Sequence, residues 1–127
     1  MAALTGYDTM HALDTSRLLT DEYSAKILLA TMGRAKSAFE LSEKLNIPIA
    51  ACYRKINLLV SSGLLYCEER KLTRAGKRIN LYKAKVKNAR ITFERNSIKA
   101  TIDMIDGTTE DYNYNIDMSM FTTESSQ

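Results

Sequence analysis

Leu45-Asn46-Ile47-Pro48-Ile49-Ala50-Ala51-Cys52-Tyr53-Arg54-Lys55-Ile56-Asn57-Leu58-Leu59-Val60-Ser61-Ser62-Gly63-Leu64-Leu65 is the stretch on which the fold turns. Pro48 stands where a first helical residue would, since its missing N–H costs nothing there and its fixed φ suits a helix start. Gly63 stands where a helix stops in the left-handed conformation. Between them Cys52, Ile56 and Leu59 recur at i, i+4 and i+7, which is one apolar stripe. The other side carries Ala50, Ala51, Tyr53, Arg54, Lys55 and Asn57, and no carboxylate occurs from Pro48 to Gly63. Small, aromatic, basic and amide side chains behind a buried stripe suit a helix laid in a DNA major groove. They equally suit an amphipathic helix with a solvated basic face, and on this stretch alone the two readings stand level.

The segments on either side separate them. Upstream, Thr20 is expected to cap a helix with Asp21 and Glu22 in its first turn, running through Tyr23, Ile27, Leu28 and Met32 to a stop at Gly33. Arg34 to Lys36 is a short connection. Ser37 and Glu40 then form a capping box, Ser-x-x-Glu, for a helix with Ala38, Leu41 and Leu45 on one face and Asn46 as its left-handed stop. Phe39 falls off that face and is read as exposed or as part of an interface. The second and third helices are thus joined by two or three residues, as in a helix-turn-helix. Downstream of Gly63 the period becomes extended. Leu64–Leu72 and Ile79–Ala84 read as two strands around the basic turn 73–78, with Gly76 supplying its unusual dihedrals. Three helices followed by a hairpin with a basic tip make a winged helix, whose wing would set Lys71, Arg74, Lys77 and Arg78 on phosphates or in the minor groove.

These residues together resemble the winged helix-turn-helix regulators of the arsenic-repressor-like (ArsR-like) superfamily, above all their archaeal branch. The resemblance covers about Asp21 to Val86. It rests on Asp21-Glu22-Tyr23 through Leu28, Ala38-x-x-Leu41-Ser42, Ile47-Pro48-x-Ala50-x-Cys52-Tyr53-Arg54-x-Ile56, Gly63-Leu64, and Leu72-Thr73-x-x-Gly76-Lys77-Arg78 with Tyr82. It implies sequence-specific binding of double-stranded DNA by a homodimer, with the third helix as reader and the wing as clamp. The metal-sensing members use cysteine pairs on the third helix or His/Asp pairs. This chain has neither, with His11 its one histidine and Cys52 and Cys67 its two cysteines, so metal sensing is not carried over.

Charge supports an anionic partner. All 18 Lys and Arg fall in residues 17–99, against seven acids, whereas residues 100–127 hold six acids and no base. A basic centre between acidic ends points first to nucleic acid. The sequence shows no nucleophile–base set, no Gly-x-Ser-x-Gly, no phosphate-cradling glycine loop and no metal-ligand spacing, so neither an enzyme nor a cofactor is expected. No run approaches the length of a membrane span and the first residues do not read as a signal peptide, which sets the expectation of a cytoplasmic protein. Cys52, on the stripe, reads as a small buried hydrophobe, and Cys67 as a strand residue first and a redox-sensitive thiol only second, with no disulfide expected between them in a reducing compartment.

Beyond the wing, Ala89–Phe93, Ile98–Met104 and Tyr112–Met120 alternate with period two, predicting three antiparallel strands with one apolar face. That face needs cover from the helices or from a second subunit. Tyr112, Tyr114, Met118 and Met120 read as packing in the first place and as a small-ligand pocket in the second.

The expected fold class is therefore α+β. It comprises an N-terminal arm (1–19) with a short helix over Thr9–Leu19, a winged helix-turn-helix (20–86), a C-terminal β extension that is a candidate dimerisation element (87–121), and a disordered tail (122–127). A second function, a protein-interaction module built from the winged helix and the C-terminal sheet, remains open at this stage. So does an acidic brake, in which residues 103–124 compete with phosphate for the basic face.

Overall fold

A computed structural model describes residues 14–117 and residue 119. The described residues form an α+β structure, with four helices and two three-stranded antiparallel sheets among them. Residues 14–20 are helical (α1) and end where the Thr20 hydroxyl donates back to the Ser16 carbonyl at 2.7 Å. Thr20 therefore closes one helix and does not cap the next. The cap of α2 (Glu22–Ala30) is Asp21, whose carboxylate accepts the Ser24 N–H at 3.0 Å. α2 also stops earlier than Gly33 suggests. The Thr31 hydroxyl turns back onto the carbonyls of Ile27 and Leu28, while the ammonium groups of Lys36 and Lys83 donate to the Ala30 and Met32 carbonyls. Lys36 thus takes a carbonyl oxygen that the helix end leaves open, and Lys83 fixes the segment that follows.

The connection after α2 forms a two-residue strand, β1 (Lys36–Ser37). Ser37 caps α3 (Ala38–Leu45), its hydroxyl accepting the Glu40 N–H at 3.1 Å. Only half of the capping box forms, because the Glu40 carboxylate is engaged by Arg34 at 2.9 Å and Lys44 at 3.2 Å. Those cations hold its carboxyl below the usual range, the Arg34 hydrogen bond foremost. Asn46 ends α3 with φ +56°. Pro48 is the cap residue of α4 (Ile49–Ser61) and lies one place before the helix, with its carbonyl accepting the Cys52 N–H at 2.9 Å. At the other end Gly63 (φ +78°) donates to Val60 and Leu64 donates to Leu59, with both leucines buried. That is the double hydrogen bond and apolar contact of a Schellman stop.

β2 (Leu65–Leu72) and β3 (Arg78–Ala84) pair from Leu65↔Ala84 to Leu72↔Arg78, with a bulge between Cys67 and Glu69. β1 joins the other edge of β3, a strand too short to be visible as sequence periodicity. One residue, Lys85, separates β3 from β4 (Val86–Glu94). β5 (Ser97–Met104) and β6 (Thr109–Asn115) complete a meander in the order β4-β5-β6. The last strand spans 109–115 and not 112–120. The Asp106 carboxylate accepts both the N–H and the hydroxyl of Thr108, tightening the turn so that Thr109 already pairs with Asp103. Met118 and Met120 lie outside the described residues, as do His11, residues 1–13 of the expected arm and the tail 122–127.

The core gathers Ile27 and Leu28, Ala38 and Leu41, Ile47, Cys52, Ile56 and Leu59, and Leu64, Leu65 and Ala84. It runs on into the second sheet through Val86, Ile102 and Met104. The sheets are also tied through the backbone, with Lys85 N–H on the Leu64 carbonyl and Ile105 N–H on the Lys85 carbonyl. On the second sheet's apolar face Ala89 sits opposite Ile102, Ile91 opposite Ala100, and Phe93 opposite Ile98. The Ile102 end is buried, whereas Phe93 is 78 % exposed. No helix among the described residues is long and apolar enough to cross a membrane.

Candidate nucleic-acid interface

Helix α4 is packed on more than one side, and this sorts its residues. Ala50, Tyr53, Arg54, Asn57 and Ser61 recur at i, i+3, i+4, i+7 and i+11, and all are exposed. Ala51, Lys55, Leu58 and Ser62 form the neighbouring stripe. Lys55, Leu58 and Ser62 line a cleft with Asp14, Arg17, Leu18 and Asp21, so that stripe faces α1 and the start of α2. Two expected contacts leave the outer face on this account. Ala51 is buried in the core, and the Lys55 ammonium lies 3.4 Å from Asp21 Oδ1. The Asp21 carboxyl is held below the ordinary range by the Ser24 N–H first and by Lys55 after it.

The hairpin β2–β3 stands beside this face. Cross-strand partners share a side of a sheet, so Leu72 with Arg78 and Arg70 with Asn80 lie on the side that also carries Tyr82 and, at the base, Leu65 and Ala84. Arg78, Asn80 and Tyr82 line a cleft with Tyr53, Phe39, Ala38 and Ser37, which sets this side of the hairpin toward α4 and the N-terminus of α3. Phe39 (66 % exposed) and Tyr53 (50 %) form its aromatic wall, and the Asn80 amide donates to the Tyr82 hydroxyl at 3.2 Å. Lys71 pairs with Ile79 and projects from the other side of the hairpin. Arg74 and Lys77 are exposed in the turn. Thr73 fixes that turn: its N–H donates to the Lys77 carbonyl at 2.7 Å, its carbonyl accepts Gly76 N–H, and its hydroxyl accepts Lys77 N–H. Gly76, at φ +81°, occupies the position that an L side chain would strain.

Lys26, Lys44 and Lys55 in the helices and Arg34 in the connection before α3 each have a carboxylate within 4 Å. Arg54 on α4 and Arg70, Lys71, Arg74, Lys77 and Arg78 on the hairpin have none among the described residues, and all six are exposed. Of the ten residues singled out in the sequence, the structure thus places Ala50, Tyr53, Arg54 and Asn57 on one helix face. Arg74, Lys77 and Arg78 lie on the adjacent hairpin, Lys71 behind it, and Ala51 and Lys55 elsewhere. Sequence reading put Arg70 and Leu72 within the wing (70–78) without naming them as site residues, left Phe39 as exposed or part of an interface, and missed Asn80 as a neighbour of this face. Only the strand register and the α3–β3 contact bring them there.

The two cysteines differ in access. Cys52 is fully buried, its thiol pushed up by desolvation and directed to the Ala38 carbonyl at 3.5 Å, while Cys67 is exposed at the bulge. Among the described residues no three His, Cys, Asp or Glu side chains gather as a metal site. No protein-family model matches the chain, and no curated protein sequence does.

Proposed function

We propose that this chain is a double-stranded-DNA-binding transcriptional regulator of the winged helix-turn-helix type, acting in the cytoplasm as a homodimer. In this reading α3 and α4 are the helix-turn-helix and β2–β3 is the wing. The observation that carries it is a set of exposed cations beside an acid-free helix face: Arg54 on that face, Arg70 and Arg78 on the side of the hairpin turned toward it, and Arg74 and Lys77 in the turn have no carboxylate within 4 Å among the described residues. Arg54, Asn57 and Tyr53 would read base edges in the major groove, with Ala50 allowing close approach to thymine methyls. Arg74, Lys77 and Arg78 would neutralise phosphates and set the register. The resemblance to arsenic-repressor-like regulators, carried by the residues quoted above, supports the same assignment.

Titration of fluorescent random-sequence duplex at low and moderate salt tests it. Binding should weaken as salt rises, with a slope of log K against log salt that falls by about one for each of Lys77→Ala and Arg78→Ala. Arg54→Ala should cost about tenfold on a selected site and relax preference at the base it contacts. If Arg74, Lys77 and Arg78 all become alanine without change in affinity, the wing has no such role. The second reading, a protein-interaction module, is favoured by the exposed apolar side chains Phe39 and Phe93, and absence of duplex binding at either salt would select it.

A further inference from the structure

Between Cys67 and Arg78 the hairpin offers one large apolar side chain, Leu72, and it is 64 % exposed. Its neighbourhood is cationic. Arg78 is its cross-strand partner, Arg70 precedes it on the same side of β2, and Arg74 and Lys77 follow in the turn, none with a carboxylate within 4 Å among the described residues. The side chain is not on a slack loop. β2 stays in register through Leu72↔Arg78, and the hydrogen bonds of Thr73 close the turn immediately beyond it. A leucine held outward on a rigid tip amid unpaired cations suits a partner that is polyanionic at its rim and apolar within. A protein surface of matching shape would have to bring its own ring of carboxylates, whereas the minor groove of a DNA duplex has that composition throughout, with phosphates on both lips and sugar C–H groups lining the walls.

We infer that Leu72 is an apolar minor-groove contact, which packs against the deoxyribose walls and the edges of a base step while Arg70 and Arg78 hold the phosphates on either side. This rests on the duplex-binding function proposed above and adds to it a groove, a residue and a base preference. The exocyclic amino group of guanine projects from the minor-groove floor, so the leucine enters where A·T pairs leave the floor clear. Side chains of this kind also open base steps and bend the duplex.

Alternating duplexes separate this contact from the rest of the surface. Poly(dI-dC) keeps the major-groove hydrogen-bonding groups of poly(dG-dC) and lacks the minor-groove amino group. The wild-type chain should bind poly(dI-dC) about tenfold more tightly than poly(dG-dC), the loss expected when a leucine cannot bury its side chain, and poly(dA-dT), whose major groove differs, should also bind more tightly than poly(dG-dC). Leu72→Asn, at an exposed position and of similar size, should keep its circular dichroism and its salt slope while losing the preference. A wild-type chain indifferent to the amino group, or a Leu72→Asn variant that retains the preference, overturns the inference and leaves duplex binding standing. No binding to any of the three duplexes at low salt overturns both.

Discussion

Asp21 serves two elements with one carboxylate. It caps α2 through the Ser24 N–H and holds Lys55 of α4 at 3.4 Å. Both contacts favour the ionised form, and its pKa is lowered in the folded chain. A group depressed on folding stabilises the fold above its unfolded pKa, about 3.9 for aspartate, and loses that contribution as pH falls through the folded value. Asp21→Ala should therefore cost about 1 kcal/mol at neutral pH, the usual value of a lost cap. Urea denaturation should show the gap between variant and wild type closing below about pH 4, where the wild-type carboxylate also protonates. The same carboxylate draws Lys55 off the outer face of α4, so on the proposed function Lys55→Ala should change stability and leave the salt slope of duplex binding unaltered. At Cys52, burial both removes the thiol from solvent and disfavours the thiolate, whereas Cys67 is open. A thiol reagent should modify one cysteine rapidly in the native chain and the second only as it unfolds. Cys67→Ser would remove the fast phase alone.

Among the elements, α4 is the one whose bounds the sequence states outright. Pro48 and Gly63 act through their own backbones and need no partner to be recognised. Gly63 carries a φ of +78° with nothing within 4 Å of an added Cβ, so Gly63→Ala meets dihedral strain and no clash. The expected cost is about 1 kcal/mol in thermal or urea unfolding, with little change at the exposed face of α4. The end of α2 was illegible for the opposite reason. Gly33 looks like a stop, yet the helix ends at Ala30, where Thr31 and Lys36 take its last carbonyls and Lys83, remote in the chain, holds the Met32 carbonyl just beyond. The outer face of α4 was legible in part. Periodicity located the stripe of Cys52, Ile56 and Leu59 but not its width. It is α2 packing against the flank that takes Ala51 and Lys55 away from the surface. On the hairpin, sequence revealed the basic turn, while the side on which each residue projects depends on a register set by the Cys67/Glu69 bulge. Hence Lys71 was included and Arg70 and Asn80 were not.

At the scale of the whole molecule, the second sheet is less separable than a boundary between residues 86 and 87 suggests. β4 begins at Val86, inside the core, and only Lys85 lies between it and β3. Ile102 is fully buried in the middle strand and shares one cluster with Leu64, Leu65 and Ala84 of the first sheet. Lys85 and Ile105 extend the backbone hydrogen bonding across the junction. A sheet attached this way cannot melt alone without exposing the apolar surface beneath the helices. Removing the Ile102 side chain down to alanine leaves a cavity at the junction, and losses of this kind run to about 2–5 kcal/mol. Ile102→Ala should lower the melting temperature as one transition, with hydrogen exchange at β2 and β5 amides accelerating together. If β5 amides exchange faster while those of β2 keep wild-type protection, the second sheet is an independent appendage. Phe93, at the open end of the same face, gives the contrast: Phe93→Ala removes a side chain that is 78 % exposed and should leave that shared transition within a degree or two of wild type.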